Sequence, residues 1–146
     1  MRSRDELIAI VGPTAVGKTA VSIALAERLG AEVVSADSRY LYRGMDIGTA
    51  KPSEAERARV PHHLIDVTTP DRPWTLAQFQ AAALAAIESI RAQGRRALLV
   101  GGTGQYVRAI TEGWQVPPGE PSRELRAELE ATLARDGVGA LAARRQ

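Results

Sequence analysis

Apolar residues along this chain fall into short solid runs that alternate with longer periodic ones. Leu7 to Val11 is a solid run closed by Gly12, the pattern of a strand buried on both faces of a parallel sheet. From about Gly17 the spacing changes to helical. Val21, Leu25 and Leu29 recur at fours with Ala24 beside them, and Gly30 supplies the stop. Glu32 to Ala36 predicts a second strand, and Asp37 to Pro52, broken by Gly44 and Gly48, predicts a long loop of the kind that carries function.

Ser53 with Glu56 has capping-box spacing and opens a short helix that Pro61 ends, followed by a third strand over His63 to Val67. A second capping box, Thr75 with Gln78, precedes Leu76, Phe79, Ala83, Ile87 and Ile90, which step by three or four until Gly94. Ala97 to Val100 is the fourth strand. It ends in Gly101, Gly102 and Thr103 before a helical segment through Ile110. Strands alternating with helices predict a parallel α/β sheet. Residues 113–121 turn to glycine and proline and are expected to be a linker between a core at 1–112 and a helical element at 122–146. That element carries Leu125, Leu129 and Leu133 on one stripe. Four strands make a thin sheet for this class, so the chain is expected to be the front part of a longer protein.

Composition narrows the function classes. At 146 residues, 45% hydrophobic and 25% charged, the chain has ordinary globular usage and room for one core. It contains no cysteine, which removes disulfides, thiolate metal sites and cysteine nucleophiles. No run is long enough for a signal segment or a membrane span, and a cytoplasmic protein is the expectation. The net charge of +2 does not announce nucleic acid. Arginine dominates the basic residues, and Lys18 and Lys51 are the two lysines.

The chemistry is concentrated in a few strings. Gly12, Pro13, Thr14, Ala15, Val16, Gly17, Lys18 and Thr19 spell GPTAVGKT, a match to GxxxxGKT set between a predicted strand and a predicted helix. Backbone amides of such a loop turn toward one anion, the lysine adds a mobile charge, and the Thr19 hydroxyl can ligate magnesium. The loop suits a diphosphate or triphosphate, nucleotides such as ATP included. Asp37 follows the second strand at the edge where ligands sit in open parallel sheets, either as a base or hydroxyl binder or as a turn former. Lys51, in GTAKP, either neutralises phosphate or sits in solvent. Gly101, Gly102 and Thr103 lack the aspartate that a motor-type ATPase places there, and allow close backbone approach to a ligand or simply a strand-to-helix turn. His62 and His63, being adjacent, point apart and do not suit a metal pair. Tyr40, Tyr42, Tyr106 and Trp114 either stack on a base or fill the core.

Taken together and in order, GPTAVGKT, SADSRYLYRGMDIGTAKP, PHHLIDV and LLVGGTGQY resemble the transfer RNA (tRNA) dimethylallyltransferase, or isopentenyltransferase, family. The resemblance runs from about Ile8 to Arg126 and implies a P-loop NTPase-like α/β sheet flanked by helices and incomplete at its C-terminal side. It implies transfer of a dimethylallyl group from dimethylallyl diphosphate to N6 of the adenosine 3′ of the anticodon in tRNA, with Mg2+ near Thr19. By the same resemblance Asp37 is the base, Lys18 and the loop hold the leaving diphosphate, and Thr103 completes the catalytic set. Asp37, Ser38, Arg39, Tyr40, Thr103 and Arg126 are the expected tRNA contacts. Two rivals share the loop: a small-molecule P-loop kinase, and a diphosphate-binding fragment without turnover.

Overall fold

The computed structural model describes residues 6–46, 48, 50–117 and 122–143. The ends of the expected core and helical element, at 1–5 and 144–146, and linker residues 118–121 lie outside the described residues. Four parallel strands, β1 (Ile8–Val11), β2 (Ala31–Ser35), β3 (His62–His63) and β4 (Arg96–Gly101), form one sheet in the order β1-β4-β2-β3. Ile8 lies opposite Leu98, Val33 opposite both Leu98 and His62, and Ser35 opposite Val100. The helices are α1 (Lys18–Leu29), α2 (Glu54–Arg59), α3 (Leu76–Ala92), α4 (Gly104–Thr111) and α5 (Arg123–Ala143).

Alternation along β2 and β4 divides the core into two layers. Val34, Ala97 and Leu99 face α3 and α4, where they meet Phe79, Ala83, Ile87, Ile90, Tyr106 and Ile110. Val33, Leu98 and Val100 face α1, where Ile23 and Ala26 are buried. Both capping boxes form as the spacing predicts. The Ser53 hydroxyl accepts from the Glu56 amide and that of Thr75 from the Gln78 amide, and the side chains of Glu56 and Gln78 reach back to the cap amides.

Three expectations change. First, β1 is an edge strand whose better covered face is toward α1: Ile8 and Ile10 pack there and Leu7 just before it packs on the α3/α4 layer, whereas Val11 is 58% exposed. Second, α1 presents Ser22, Ile23 and Ala26 to the sheet rather than Val21, Leu25 and Leu29. Leu25 and Leu29 only flank the core and Val21 faces out. The phosphate loop fixes where the helix begins, and small Ser22 and Ala26 let it approach β2 closely. Third, β3 stops at His63 because Leu64 and Asp66 take left-handed backbone, φ +63° and +57°. The leucine stripe of α5 lies on a helix that has no buried residue and breaks at Gly137 (φ +75°, ψ −179°).

Candidate active site

The segments that follow β1 and β2 meet at one small pocket of about 170 Å3. It is lined by Thr14, Ala15, Gly17, Lys18 and Thr19 of the phosphate loop and, facing them, by Asp37, Tyr40 and Ala50. Gly12, Pro13 and Val16 complete the loop. Gly12 and Pro13 border instead a neighbouring, largely apolar cleft of about 300 Å3 with Val11, Gly101, Gly102 and Val107. Ala15 and Gly17 adopt positive φ, +63° and +91°, the alternating turn that aims successive amides into a concavity. Lys18 opens α1 and its ammonium donates to the Pro13 carbonyl across the loop.

Asp37 sits just past β2 and is mostly buried, yet it reaches the pocket. Its Oδ1 accepts from the Arg39 amide at 3.0 Å and lies 3.6 Å from Arg39 Nε, while its own amide lies 3.4 Å from the Ser35 hydroxyl. Arg39 spans to the loop, donating to the Thr14 hydroxyl at 2.9 Å. Tyr40 donates to the Ala50 carbonyl at 2.7 Å. Burial, with the Asp37 carboxylate adding to it, holds that phenol above its ordinary range, so it remains a donor.

Gly101 and Gly102 are required by space. A Cβ on Gly101 would lie 2.3 Å from the carbonyl of Ala36, and one on Gly102 would lie 3.0 Å from the Gly12 carbonyl. The strand ends therefore close against each other without side chains between them. Thr103 caps this junction. Its amide donates to Ala36 at 3.2 Å, and its hydroxyl accepts from the Ser38 amide at 3.0 Å and lies 3.3 Å from the Ser38 hydroxyl. Thr103 thus fixes the turn that carries Asp37.

Arg126 stands elsewhere. It lines a cleft of about 710 Å3 with Arg72, Trp74 and Arg123, and pairs with Glu130 at 3.1 Å. That cleft and the phosphate-loop pocket share no lining residue. Of the aromatic candidates, Tyr106 is core, stacked on Phe79 with centroids 3.8 Å apart, and Trp114 lies under Arg108. His62 and His63 do point apart. His62 Nδ1 donates to the Val60 carbonyl at 2.7 Å, and His63 Nε2 meets Glu32 at 2.6 Å.

The residue types suit magnesium. Thr19 brings a hydroxyl to the pocket beside the phosphate loop, a hard oxygen donor for an ion that takes its remaining ligands from phosphate and water. Among the described residues no group of three or more histidine, cysteine or acidic side chains forms a denser cage.

The family model for IPP transferase matches residues 40–146. The chain belongs to the IPP transferase family. It is 61% identical over 140 residues to the tRNA dimethylallyltransferase of Chloroflexus aurantiacus, covering 96% of this chain and 47% of that protein. It is 54% identical to that of Symbiobacterium thermophilum, covering 94% and 43%. The crystal structure of the full-length tRNA isopentenylpyrophosphate transferase from Bacillus halodurans superposes with a TM-score of 0.75 at 48% identity, covering 96% of this chain and 46% of that one. The fold is thus the P-loop NTPase-like sheet of this family. The chain spans about half the length of the curated relatives it matches.

Within this IPP transferase fold, sequence reasoning missed Ala50, Ser35 and Asp66. Ala50 (φ +53°) is a pocket wall through backbone conformation, which its residue type does not signal. Ser35 and Asp66 were absorbed into runs that already had strand patterns.

Proposed function

We propose that this chain forms the diphosphate-binding and base-bearing part of an enzyme that transfers a dimethylallyl group from dimethylallyl diphosphate to N6 of the adenosine 3′ of the anticodon in tRNA. The observation that carries the proposal is the pocket in which a buried carboxylate, Asp37, faces the phosphate loop. The names of the relatives, tRNA dimethylallyltransferases, support the same reaction class.

In the proposed reaction the N6 lone pair attacks C1 of the allyl group and the C1–O electrons leave with diphosphate. The Asp37 carboxylate takes the N6 proton. Backbone amides of the loop and the Lys18 ammonium hold the departing charge, which grows in the transition state and is therefore where their interaction is strongest. The Thr19 hydroxyl would hold a magnesium ion on the diphosphate, adding positive charge at the leaving group. Ser38, Arg39 and Tyr40 would meet the anticodon loop, with Thr103 fixing their turn and Arg126 contacting tRNA from α5. The adenosine must unstack to enter so small a pocket. The reaction consumes no ATP, although the loop is of the ATP-binding type. A tRNA substrate places the work in the cytoplasm, and among the described residues no helix is long and apolar enough to cross a membrane.

The test is mass spectrometry of nucleosides from tRNA incubated with dimethylallyl diphosphate and the complete gene product, beside this chain. Gain of one C5H8 unit on adenosine is expected. ATP turnover driven by a small alcohol, with adenosine unmodified, would overturn the proposal in favour of a kinase.

A further inference from the structure

Lys51 neither sits in solvent nor faces the phosphate loop. Its side chain is 3% exposed, and its ammonium donates three hydrogen bonds: to the Tyr42 carbonyl at 2.8 Å, Asp46 at 2.7 Å and Asp66 at 2.6 Å. Asp66 in turn accepts from Arg57 of α2 at 2.8 Å, and its carbonyl accepts from Arg43 Nε at 2.9 Å. Both carboxylates, Asp46 and Asp66, lie directly on the Lys51 ammonium, so little of its charge is left for an anion. Burial alone would lower its pKa, but the bonds to Asp46 and Asp66 outweigh burial and keep the ammonium charged.

The acceptors come from segments far apart in sequence. Tyr42 and Asp46 belong to the long loop after Asp37, and Asp66 follows β3 in left-handed backbone. Between them the chain pairs as a short extension of the sheet: the Asp66 and Thr68 amides donate to the Tyr40 and Leu41 carbonyls, and the Arg43 amide to Thr68. Lys51 also directly follows Ala50, the wall that Tyr40 holds opposite the phosphate loop.

We infer that Lys51 is a positioning residue: by drawing Tyr42, Asp46 and Asp66 onto one ammonium it sets the Tyr40–Ala50 wall of the reaction pocket. This deepens the proposed prenyl transfer and rests on it for its kinetic consequence. The chemistry requires lysine. Three acceptors converge on one nitrogen, which a tetrahedral ammonium satisfies and a planar guanidinium, with its donors spread over three nitrogens, does not.

The experiment compares wild type, Lys51→Met and Lys51→Arg by two measurements. Amide hydrogen exchange of this chain should show protection at Arg43, Asp66 and Thr68 falling at least about tenfold in both variants, with Val33 and Ala36 in the sheet unchanged. In the complete gene product, kcat for transfer should fall about tenfold to a hundredfold, arginine faring no better than methionine. Affinity for inorganic pyrophosphate should stay within about threefold, since the loop that binds it is separate. The inference is overturned if those three amides stay protected, if Lys51→Arg transfers like wild type, or if pyrophosphate affinity falls in step with kcat. Should wild type transfer nothing while the exchange pattern holds, the prenyl-transfer proposal fails and the positioning role stands.

Discussion

Each end of the sheet carries a buried charged side chain held by polar partners, built in different ways. At the amino end Glu32, 6% exposed, is held by His63 at 2.6 Å and by Arg95. Its partners stand on β3 and just before β4, so the cluster ties three neighbouring strands in regular backbone. At the carboxyl end the buried member is Lys51, and its partners stand on loops with left-handed backbone at Ala50 and Asp66. The same chemistry therefore does different work. Charge pairing between strands fixes the sheet, whereas charge pairing between loops fixes the shape of a pocket. Changes at the carboxyl end should cost activity ahead of stability, and changes at the amino end the reverse.

The largest effect expected is at the carboxyl end. Asp37→Asn keeps the acceptor for the Arg39 amide but loses the proton acceptor, so transfer should fall by roughly two to four orders of magnitude at unchanged urea midpoint. Single-turnover transfer to tRNA measures it, and a matching loss of stability would break the comparison. Next is Gly101→Ala, where a methyl group would collide with the Ala36 backbone at 2.3 Å. This residue belongs to a strand and also abuts the site, so it should lose about 3 kcal/mol of stability and diphosphate binding together.

Glu32→Gln should cost about 1–3 kcal/mol in urea unfolding and leave pyrophosphate affinity unchanged. Burial alone would raise the Glu32 pKa, but the bonds from His63 and Arg95 outweigh it and hold the carboxyl below its usual range. Its folded pKa is then lower than its unfolded one. The stabilisation is present at neutral pH and is lost as pH falls below the ordinary glutamate range, about 4.3. The glutamine variant should accordingly lose less stability on acidification. Smallest is Glu130→Gln, which breaks the exposed pair with Arg126 on α5 and should shift stability by about 0.5 kcal/mol or less. A larger shift would mean that burial is not what separates these clusters from surface pairs.

The parts that sequence made legible were those with local causes. Capping boxes at Ser53 and Thr75, the glycine stop after Leu29 and the phosphate loop all follow from neighbours within a few residues. Periodicity also identified α3, whose Phe79, Ala83, Ile87 and Ile90 are all buried. The same spacing marks α5, where Leu125 is nevertheless 52% exposed. Spacing says which residues share a face, and not what covers it. The end of β3 was illegible for a related reason: Asp66, in left-handed backbone, is held by hydrogen bonds to Tyr40, Lys51 and Arg57, distant partners that no local pattern displays. The place of Asp37 at the strand edge beside the phosphate loop was visible from topology, whereas the burial of Lys51 depends on Asp66, a partner outside its own loop.

Among the described residues, the strand that delivers the phosphate loop has a hydrogen-bonded neighbour on one flank alone. The outer amides and carbonyls of Ile8–Val11 thus form a ready template for a further parallel strand, and Val11 offers it an apolar contact. A strand laid along that flank would put the loop in the middle of the sheet and stiffen the backbone from which its anion-binding amides project. Where nothing occupies the flank, the template is open to a second molecule, and association of this chain should rise with its concentration and fall when a charge is introduced at Ala9.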